Sequence, residues 1–103
     1  MSVSVFDHPF LSGLLGDAEI SAFFTADAEL KAMLDFEAAL AAAEAEKGVI
    51  PEAAGTAIIK AIANFRPHIE KLRQSTSRDG VVVPELVRQL RATVGTPQAE
   101  HVH

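Results

Sequence analysis

Apolar positions between Thr25 and Lys47 follow the period of an α-helix. Its larger apolar side chains recur at steps of three and four residues, which places them on one broad face. They are Leu30, Met33, Leu34, Phe36 and Leu40. Thr25 or Asp27 is suited to cap the start of this helix, and Gly48 is suited to end it. The pattern therefore predicts one long helix.

Three shorter helices are predicted further along the chain. Pro51 is a favourable first residue for a helix that runs to about Phe65, and Pro67 opens a third, shorter helix. The fourth has Pro84 at its first position and ends before Gly95. Together with the long helix, these elements predict an all-α fold of one long helix plus three or four shorter helices.

The connection between the third and fourth helices is polar and then apolar. Ser75-Thr76-Ser77-Arg78-Asp79-Gly80 has the composition of a loop. The three valines at 81–83 could form a strand, but so short a run without a partner strand is weak evidence for a sheet. We therefore expect the valines to lead into the fourth helix.

Both ends of the chain lack this regular pattern. Residues 1–24 are predicted to form an N-terminal arm with one short helix, in which Asp17 caps a helical turn through Phe24. Residues 25–95 form the predicted helical domain. Residues 96–103 are predicted to be extended, and the abrupt end at His103 suggests a chain that was cut.

Composition limits what this chain can be. Its 103 residues are enough for one domain with a modest core, and the hydrophobic fraction of 49% includes many small alanines. Without cysteine the chain has no disulfides and no thiol chemistry. It lacks the basic start of a signal peptide and any apolar run near the roughly 20 residues that cross a bilayer. The cytoplasm is therefore the expected location, with no membrane partner.

The charge balance argues against a nucleic-acid partner. The formal charge is -5, with 14 acidic and 9 basic residues. Phosphates are repelled by such a chain unless a dense basic patch offsets the acidic groups. The arginines between Arg66 and Arg91 are interrupted by acidic residues, and no aromatic residue lies among them for base stacking.

Two histidines near the end of the chain could in principle bind a metal ion. His101 and His103 are two residues apart, so their rings share one side of an extended segment. Zinc needs a third ligand and usually a fourth, and nothing in the spacing brings His8, His68 or Glu100 to this pair. A solvated histidine pair is the simpler interpretation, and no metal site is predicted.

The predicted loop around Arg78 offers a second candidate. An arginine, a hydroxyl and free backbone N–H groups can together bind a carboxylate. The simpler alternative is a capped turn in which Arg78 and Asp79 pair on the surface, which stabilises a protein little. The residues alone favour that alternative, so they establish only an acidic helical domain with an unusual end.

Several segments nevertheless resemble a known family. Phe23-Phe24-Thr25, the long-helix run over residues 28–41 and Gly48-Val49-Ile50-Pro51 are similar to the opening of the fumarase/adenylosuccinate lyase superfamily. Glu100-His101-Val102-His103 resembles the segment in which a histidine precedes a Gly-x-Thr-Ser-x-Asp motif. Within the superfamily the resemblance is greatest to bacterial cycloisomerases that form carboxymuconolactone. It implies the N-terminal helical domain of such an enzyme.

The resemblance also implies site residues. His103 matches the family histidine that lines the substrate site, where it would bind a substrate carboxylate or transfer protons. Ser77 and Arg78 match a Ser/Thr-Arg step that enters the site, which implies substrate binding. In adenylosuccinate lyases His-Asp follows this arginine, whereas here Asp79-Gly80 follows, so no proton donor is implied at that position.

The resemblance further implies a small carboxylate substrate, no cofactor, and a homotetramer whose sites combine several subunits. This chain by itself would be inactive. Two alternatives stay open. One is a lyase similar to adenylosuccinate lyase, and the other is a non-catalytic helical module that self-associates through the alanine-rich face of the long helix.

Overall fold

The computed structural model describes residues 3–103, and helices dominate this range. The six α-helices within it are α1 (Ser12–Leu15), α2 (Ala18–Ser21), α3 (Ala26–Glu46), α4 (Glu52–Ala63), α5 (Ile69–Asp79) and α6 (Val83–Val94). Two 3-10 turns occupy Ala22–Phe24 and Gln98–His101. No strand occurs between residues 3 and 103, so the predicted all-α class is confirmed. Residues 1 and 2 of the predicted arm lie outside the described range.

Internal contacts divide the chain into two compact units, Met1–Met33 and Leu34–His103. The boundary lies within α3. The sequence predicted a different kind of division, into an arm that ends at residue 24, a helical domain that ends at residue 95 and a last segment. Grouping residues by their contacts does not test that division, so it stays a prediction.

Helix α3 begins and ends at the signals that its sequence contains. Of the two candidate caps, Thr25 supplies the bond, since its Oγ1 accepts the Ala28 N–H at 3.1 Å. Gly48 has a φ of 74°, and the next amide, that of Val49, donates to the Glu44 carbonyl at 2.8 Å. A left-handed residue of this kind satisfies the free carbonyls at a helix end.

The core of the second unit consists of aliphatic side chains and one phenylalanine. They are Leu34, Ala41, Ile50, Ala54, Ile58, Phe65, Leu72, Leu86, Val87, Leu90 and Val102. Helices α3 and α4 approach so closely that a Cβ added at Gly55 would lie 2.7 Å from the Ala45 Cβ. The alanines of α3 permit this approach, as their small size predicts.

The predicted loop at residues 75–80 is wrong for residues 75–79, because these residues complete helix α5. The helix continues to Asp79 and ends at Gly80, which has a φ of 78°. Ser75 is buried, and its hydroxyl donates to Glu85 of α6 at 3.3 Å. This contact with another helix supports a helical conformation that the polar composition does not indicate.

The start of α5 also differs from the prediction by two residues. Pro67 lies before the helix, and His68 is its N-cap, with Nδ1 accepting the Lys71 N–H at 3.2 Å. The side chain of Gln89 on α6 accepts the His68 N–H at 2.7 Å. This bond connects the start of α5 to α6, and the two helices pack against each other.

The first unit contains α1, α2 and the 3-10 turn that follows. As predicted, Asp17 caps a helical turn, with Oδ1 accepting the Ile20 N–H at 3.1 Å. No described residue before Leu34 is buried. Large apolar side chains are exposed instead, including Val3, Phe6, Phe10, Leu14, Phe23 and Phe24.

Among the described residues, no helix has both the length and the apolar character needed to cross a membrane.

Candidate functional site

The last residues of the chain return to helix α3. Helix α6 ends at Gly95, whose φ is 75°, and the chain then forms the 3-10 turn Gln98–His101. This turn packs against α4 and α6. The prediction of an extended conformation over residues 96–103 is therefore wrong for that turn, and only the final residues leave it.

Two contacts fix the backbone immediately before His103. The Arg91 guanidinium on α6 donates to the Val102 carbonyl at 3.1 Å. The Val102 side chain is buried in the core of the second unit. One polar and one apolar contact thus hold the residue next to His103 against the helical scaffold.

The His103 ring lies beside a buried carboxylate. Its Nδ1 is 3.1 Å from Oε1 of Glu37, a side chain that is only 9% exposed, whereas the histidine side chain is 59% exposed. Which group donates depends on the tautomer of the ring. An ionised carboxylate can only accept a hydrogen bond, so Nδ1 is the donor whenever Glu37 is ionised. In the neutral ring, Nε2 is then the nitrogen with a free lone pair.

An aromatic contact borders the same ring. The Phe36 and His103 ring centroids are 6.5 Å apart with an interplanar angle of 74°, an edge-to-face arrangement. Phe36 and Glu37 are neighbours on α3, so a single helix supplies both contacts to the histidine.

Arg78 lies in the last turn of α5 and belongs to a separate set of hydrogen bonds. It donates through Nε to the Asp79 carboxylate at 3.4 Å and through a terminal nitrogen to the Ser75 hydroxyl at 3.2 Å. Ser75 donates onward to Glu85, which also accepts from the Arg88 guanidinium at 2.8 Å. The surface pairing of Arg78 with Asp79, which the simpler interpretation predicted, is present.

Within this set of hydrogen bonds, the Glu85 carboxylate accepts from both Ser75 and Arg88. The hydrogen bond from Arg88 holds the pKa of Glu85 below its ordinary value. On α5, the hydrogen bond from Arg73 lowers the pKa of Glu70 in the same way. Both carboxylates therefore keep their negative charge further into the acid range than a free glutamate does.

The structure changes what Ser77 can contribute. Ser77 is exposed but helical, so its backbone N–H belongs to the helix rather than to a loop. The backbone N–H groups next to Arg78 are therefore not free to bind an anion, as the less favoured loop interpretation would have required. The exposed hydroxyl of Ser77 and the arginine side chain are the groups that remain for substrate binding, and that role stays a prediction.

His103 and Arg78 have different neighbours. His103 contacts α3, whereas the described hydrogen bonds of Arg78 are all within α5. His101 has Glu100 as its neighbour at 3.4 Å. Across residues 3–103, no three histidine, aspartate or glutamate side chains are grouped so that they could hold a metal ion.

Glu37 is the site residue that the sequence analysis did not identify. A signal for it exists, because Glu37 continues the series Leu30, Leu34 and Ala41 at steps of three and four on α3. A charged residue within an apolar stripe needs a partner. Its partner lies 66 residues away, and no local pattern identifies it.

Comparisons with known proteins agree with the resemblance seen in the sequence. The chain is 40% identical over 92 residues to a 3-carboxy-cis,cis-muconate cycloisomerase of Bradyrhizobium diazoefficiens, covering 89% of this chain and 20% of that protein. It is 35% identical over 91 residues to an adenylosuccinate lyase of Methanothermobacter thermautotrophicus, covering 85% of this chain and 20% of that protein. No protein-family model matches the chain.

A solved structure shares the helical arrangement. The crystal structure of a fumarate lyase from Mesorhizobium sp. BNC1 matches with a TM-score of 0.80 and 34% identity, covering 84% of this chain and 20% of that one. The chain therefore belongs to the fumarase/adenylosuccinate lyase superfamily. Within that superfamily, the relative described above at 40% identity is a carboxymuconate cycloisomerase. The chain spans about a fifth of the length of the curated relatives it matches.

Proposed function

We propose that this chain is the N-terminal part of a cycloisomerase that converts 3-carboxy-cis,cis-muconate to carboxymuconolactone during protocatechuate breakdown. The observation that carries the proposal is the 40% identity to a protein of that name over most of the chain. The working enzyme is a cytoplasmic homotetramer without a cofactor, and this chain by itself is inactive. Its substrate is a small carboxylate.

The proposed reaction makes two demands on the protein. A substrate carboxylate oxygen bonds to one carbon of a double bond, and a proton is added at carbon after charge has developed on another carboxylate. Positioned donors must stabilise that charge, and a general acid must deliver the proton. The new carbon–oxygen bond and the proton at carbon together use the double bond, so no oxidant or reductant is needed.

His103 is the residue of this chain that we assign to the chemistry. It is the catalytic and substrate-binding histidine of the proposal, and its half-exposed ring has a nitrogen left over from the bond to Glu37. Arg78 and Ser77 are assigned to substrate binding. The Arg78 side chain is 69% exposed, so it is accessible to a carboxylate.

A segment exchange tests the function directly. The matched stretch of the Bradyrhizobium diazoefficiens cycloisomerase is replaced by this chain, and lactone formation from 3-carboxymuconate is followed by loss of the conjugated diene absorbance. We expect a tetramer that forms lactone, and no activity from this chain alone. A folded tetramer that forms no lactone would contradict the proposal.

Substitutions in the exchanged protein test the assigned residues. Replacing His103 with asparagine should lower kcat/KM by about 100-fold or more, the usual contribution of a general acid or base. Arg78→Ala should raise KM about 10-fold, as loss of one charge-assisted hydrogen bond predicts. Arg73→Ala is the matched control, because that side chain is also on α5 and is also 69% exposed. Equal effects of the two arginine variants would count against Arg78.

The lyase alternative rests on the 35% identity to the adenylosuccinate lyase. The segment after the arginine differs from that enzyme class, since Asp79-Gly80 replaces His-Asp and Gly80 serves to end α5. Adding adenylosuccinate to the exchanged protein distinguishes the two functions. Release of fumarate would favour the lyase.

A further inference from the structure

Glu37 is a buried acid for which the proposed function provides no role. Three polar side chains of the second unit are buried, namely Glu37, Ser75 and Gln89. Ser75 and Gln89 each connect α5 with α6, so their burial is explained by helix packing. The described partner of Glu37 is instead His103, whose side chain is largely exposed.

Helix packing alone does not explain a carboxylate at position 37, because an apolar residue would stabilise this buried position more. On the apolar stripe of α3, a leucine would bury its side chain without the penalty of removing a carboxylate from water. A buried carboxylate stabilises a protein little compared with an apolar residue of similar size. What the carboxylate supplies, and leucine cannot, is an acceptor for a histidine N–H.

From this geometry we infer that Glu37 is a positioning residue, which orients the His103 ring and keeps hydrogen on Nδ1 so that Nε2 faces the chemistry. The inference rests on the proposed function for what Nε2 acts on. The partner of one ring nitrogen decides which tautomer a histidine adopts. The edge-to-face contact with Phe36 restricts the ring further, and Val102 and Arg91 fix its backbone.

The first test measures the tautomer in the 103-residue chain and needs no activity. Two-bond and three-bond ¹H–¹⁵N correlation spectra at a pH where the imidazole is neutral report which ring nitrogen of His103 carries hydrogen. We expect mainly the Nδ1–H form. In Glu37→Leu the population should move towards Nε2–H, the form that neutral histidine favours in water. An unchanged tautomer in this variant would overturn the inference.

Two further variants separate orientation from folding. Glu37→Gln keeps the shape of the side chain but removes its charge, and its amide can either accept or donate, so we expect a mixture of tautomers. Glu46→Gln, an exposed glutamate on the same helix, is the control and should leave the His103 spectrum unchanged. The urea midpoint of Glu37→Leu should be no lower than that of the unaltered chain, because an apolar residue replaces a buried carboxylate.

The second test is kinetic and uses the segment-exchanged cycloisomerase. Glu37→Gln should lower kcat about 10- to 100-fold, the range for residues that orient a functional histidine, while KM changes by less than about 3-fold. Glu37→Asp should recover part of the loss. If the exchanged protein is inactive but the tautomer behaves as expected, the proposed function fails and the positioning role stands. An active protein whose kcat is unaffected by Glu37→Gln would refute the positioning role alone.

Discussion

The two units of this chain treat their apolar side chains in opposite ways. Between Leu34 and His103, eleven apolar side chains are buried, and Leu90 and Ala54 are fully buried. Between residues 3 and 33 no residue is buried, although this stretch includes four of the six phenylalanines of the chain. Both units are rich in apolar residues, but among the described residues only the second unit buries any of them.

The difference shows that apolar content alone does not make a core. Burial stabilises a protein in proportion to the apolar area removed from water, roughly 25 cal/mol per Å². An exposed phenylalanine contributes little of this energy. We therefore expect stability to depend on the second unit, and substitutions in the first unit to act locally.

The largest expected effect comes from truncating one leucine in each unit. Leu90→Ala removes a fully buried side chain from α6, so the free energy of unfolding should fall by about 3 kcal/mol. Leu14→Ala removes a side chain that is 81% exposed, and the change should stay within about 0.5 kcal/mol. Urea unfolding followed by circular dichroism measures both. Similar losses in the two variants would break the comparison.

Adding one methyl group to a glycine in each unit gives a smaller contrast. At Gly55, the new Cβ would lie 2.7 Å from the Ala45 Cβ and 3.3 Å from the Ala41 carbonyl oxygen. Gly55→Ala should therefore destabilise the chain by about 1 kcal/mol, since overpacking outweighs the better helix propensity. At Gly13 nothing lies within 4 Å, so Gly13→Ala should cause no loss. A gain in unfolding midpoint for Gly55→Ala would show that α3 and α4 separate easily.

Removing the cap of α2 tests whether the first unit affects global stability. Asp17→Ala removes the acceptor for the Ile20 N–H, which usually costs about 1 kcal/mol of helix stability. Amide hydrogens in α2 should exchange faster, because that helix opens more often. The urea midpoint should not change, since the first unit buries no described residue. A lower midpoint would mean that the two units unfold together.

The smallest effect concerns two ion pairs of the second unit. Arg88 and Arg73 lower the pKa values of Glu85 and Glu70 below those of an unfolded chain. A lowered folded-state pKa stabilises at neutral pH, and this contribution disappears as the pH falls through the folded-state value.

The matching experiment compares thermal unfolding at pH 6 and pH 3. Double replacement of these glutamates by glutamine should reduce the loss of stability between the two pH values, because these two carboxylates are no longer present to be protonated. The effect should be small, since three of the four side chains are at least half exposed to water, and it should weaken at high salt. An unchanged pH dependence would show that other carboxylates dominate the acid transition.

The parts of the fold that the sequence predicted are those with local signals. Helix α3 has a regular apolar period, a threonine cap and a terminal glycine, and all three operate in the structure. The end of α5 was missed because Ser75, Thr76 and Ser77 have loop-like composition. Their helical state depends on a bond between Ser75 and Glu85 of α6, and propensity does not contain that information.

The candidate site divides in the same way. His103 was identified from a resemblance that uses a short stretch of sequence. Glu37 could not be paired with it, because three α-helices and a 3-10 turn separate the two residues along the chain. The surface bond of Arg78 with Asp79 joins adjacent residues, and it was foreseen as one of two alternatives.

The hydrogen bond from Arg91 to the Val102 carbonyl ties the position of the His103 backbone to helix α6. A ring attached to a free tail would sweep through many orientations and meet a substrate only occasionally. Here the hydrogen-bonded carbonyl of Val102 lies one residue away, so the ring can rotate about its side-chain bonds but its backbone is held in place. Any change that tilts α6 therefore moves the histidine with it, and an engineer who wants to shift its reach should adjust the helix rather than the tail.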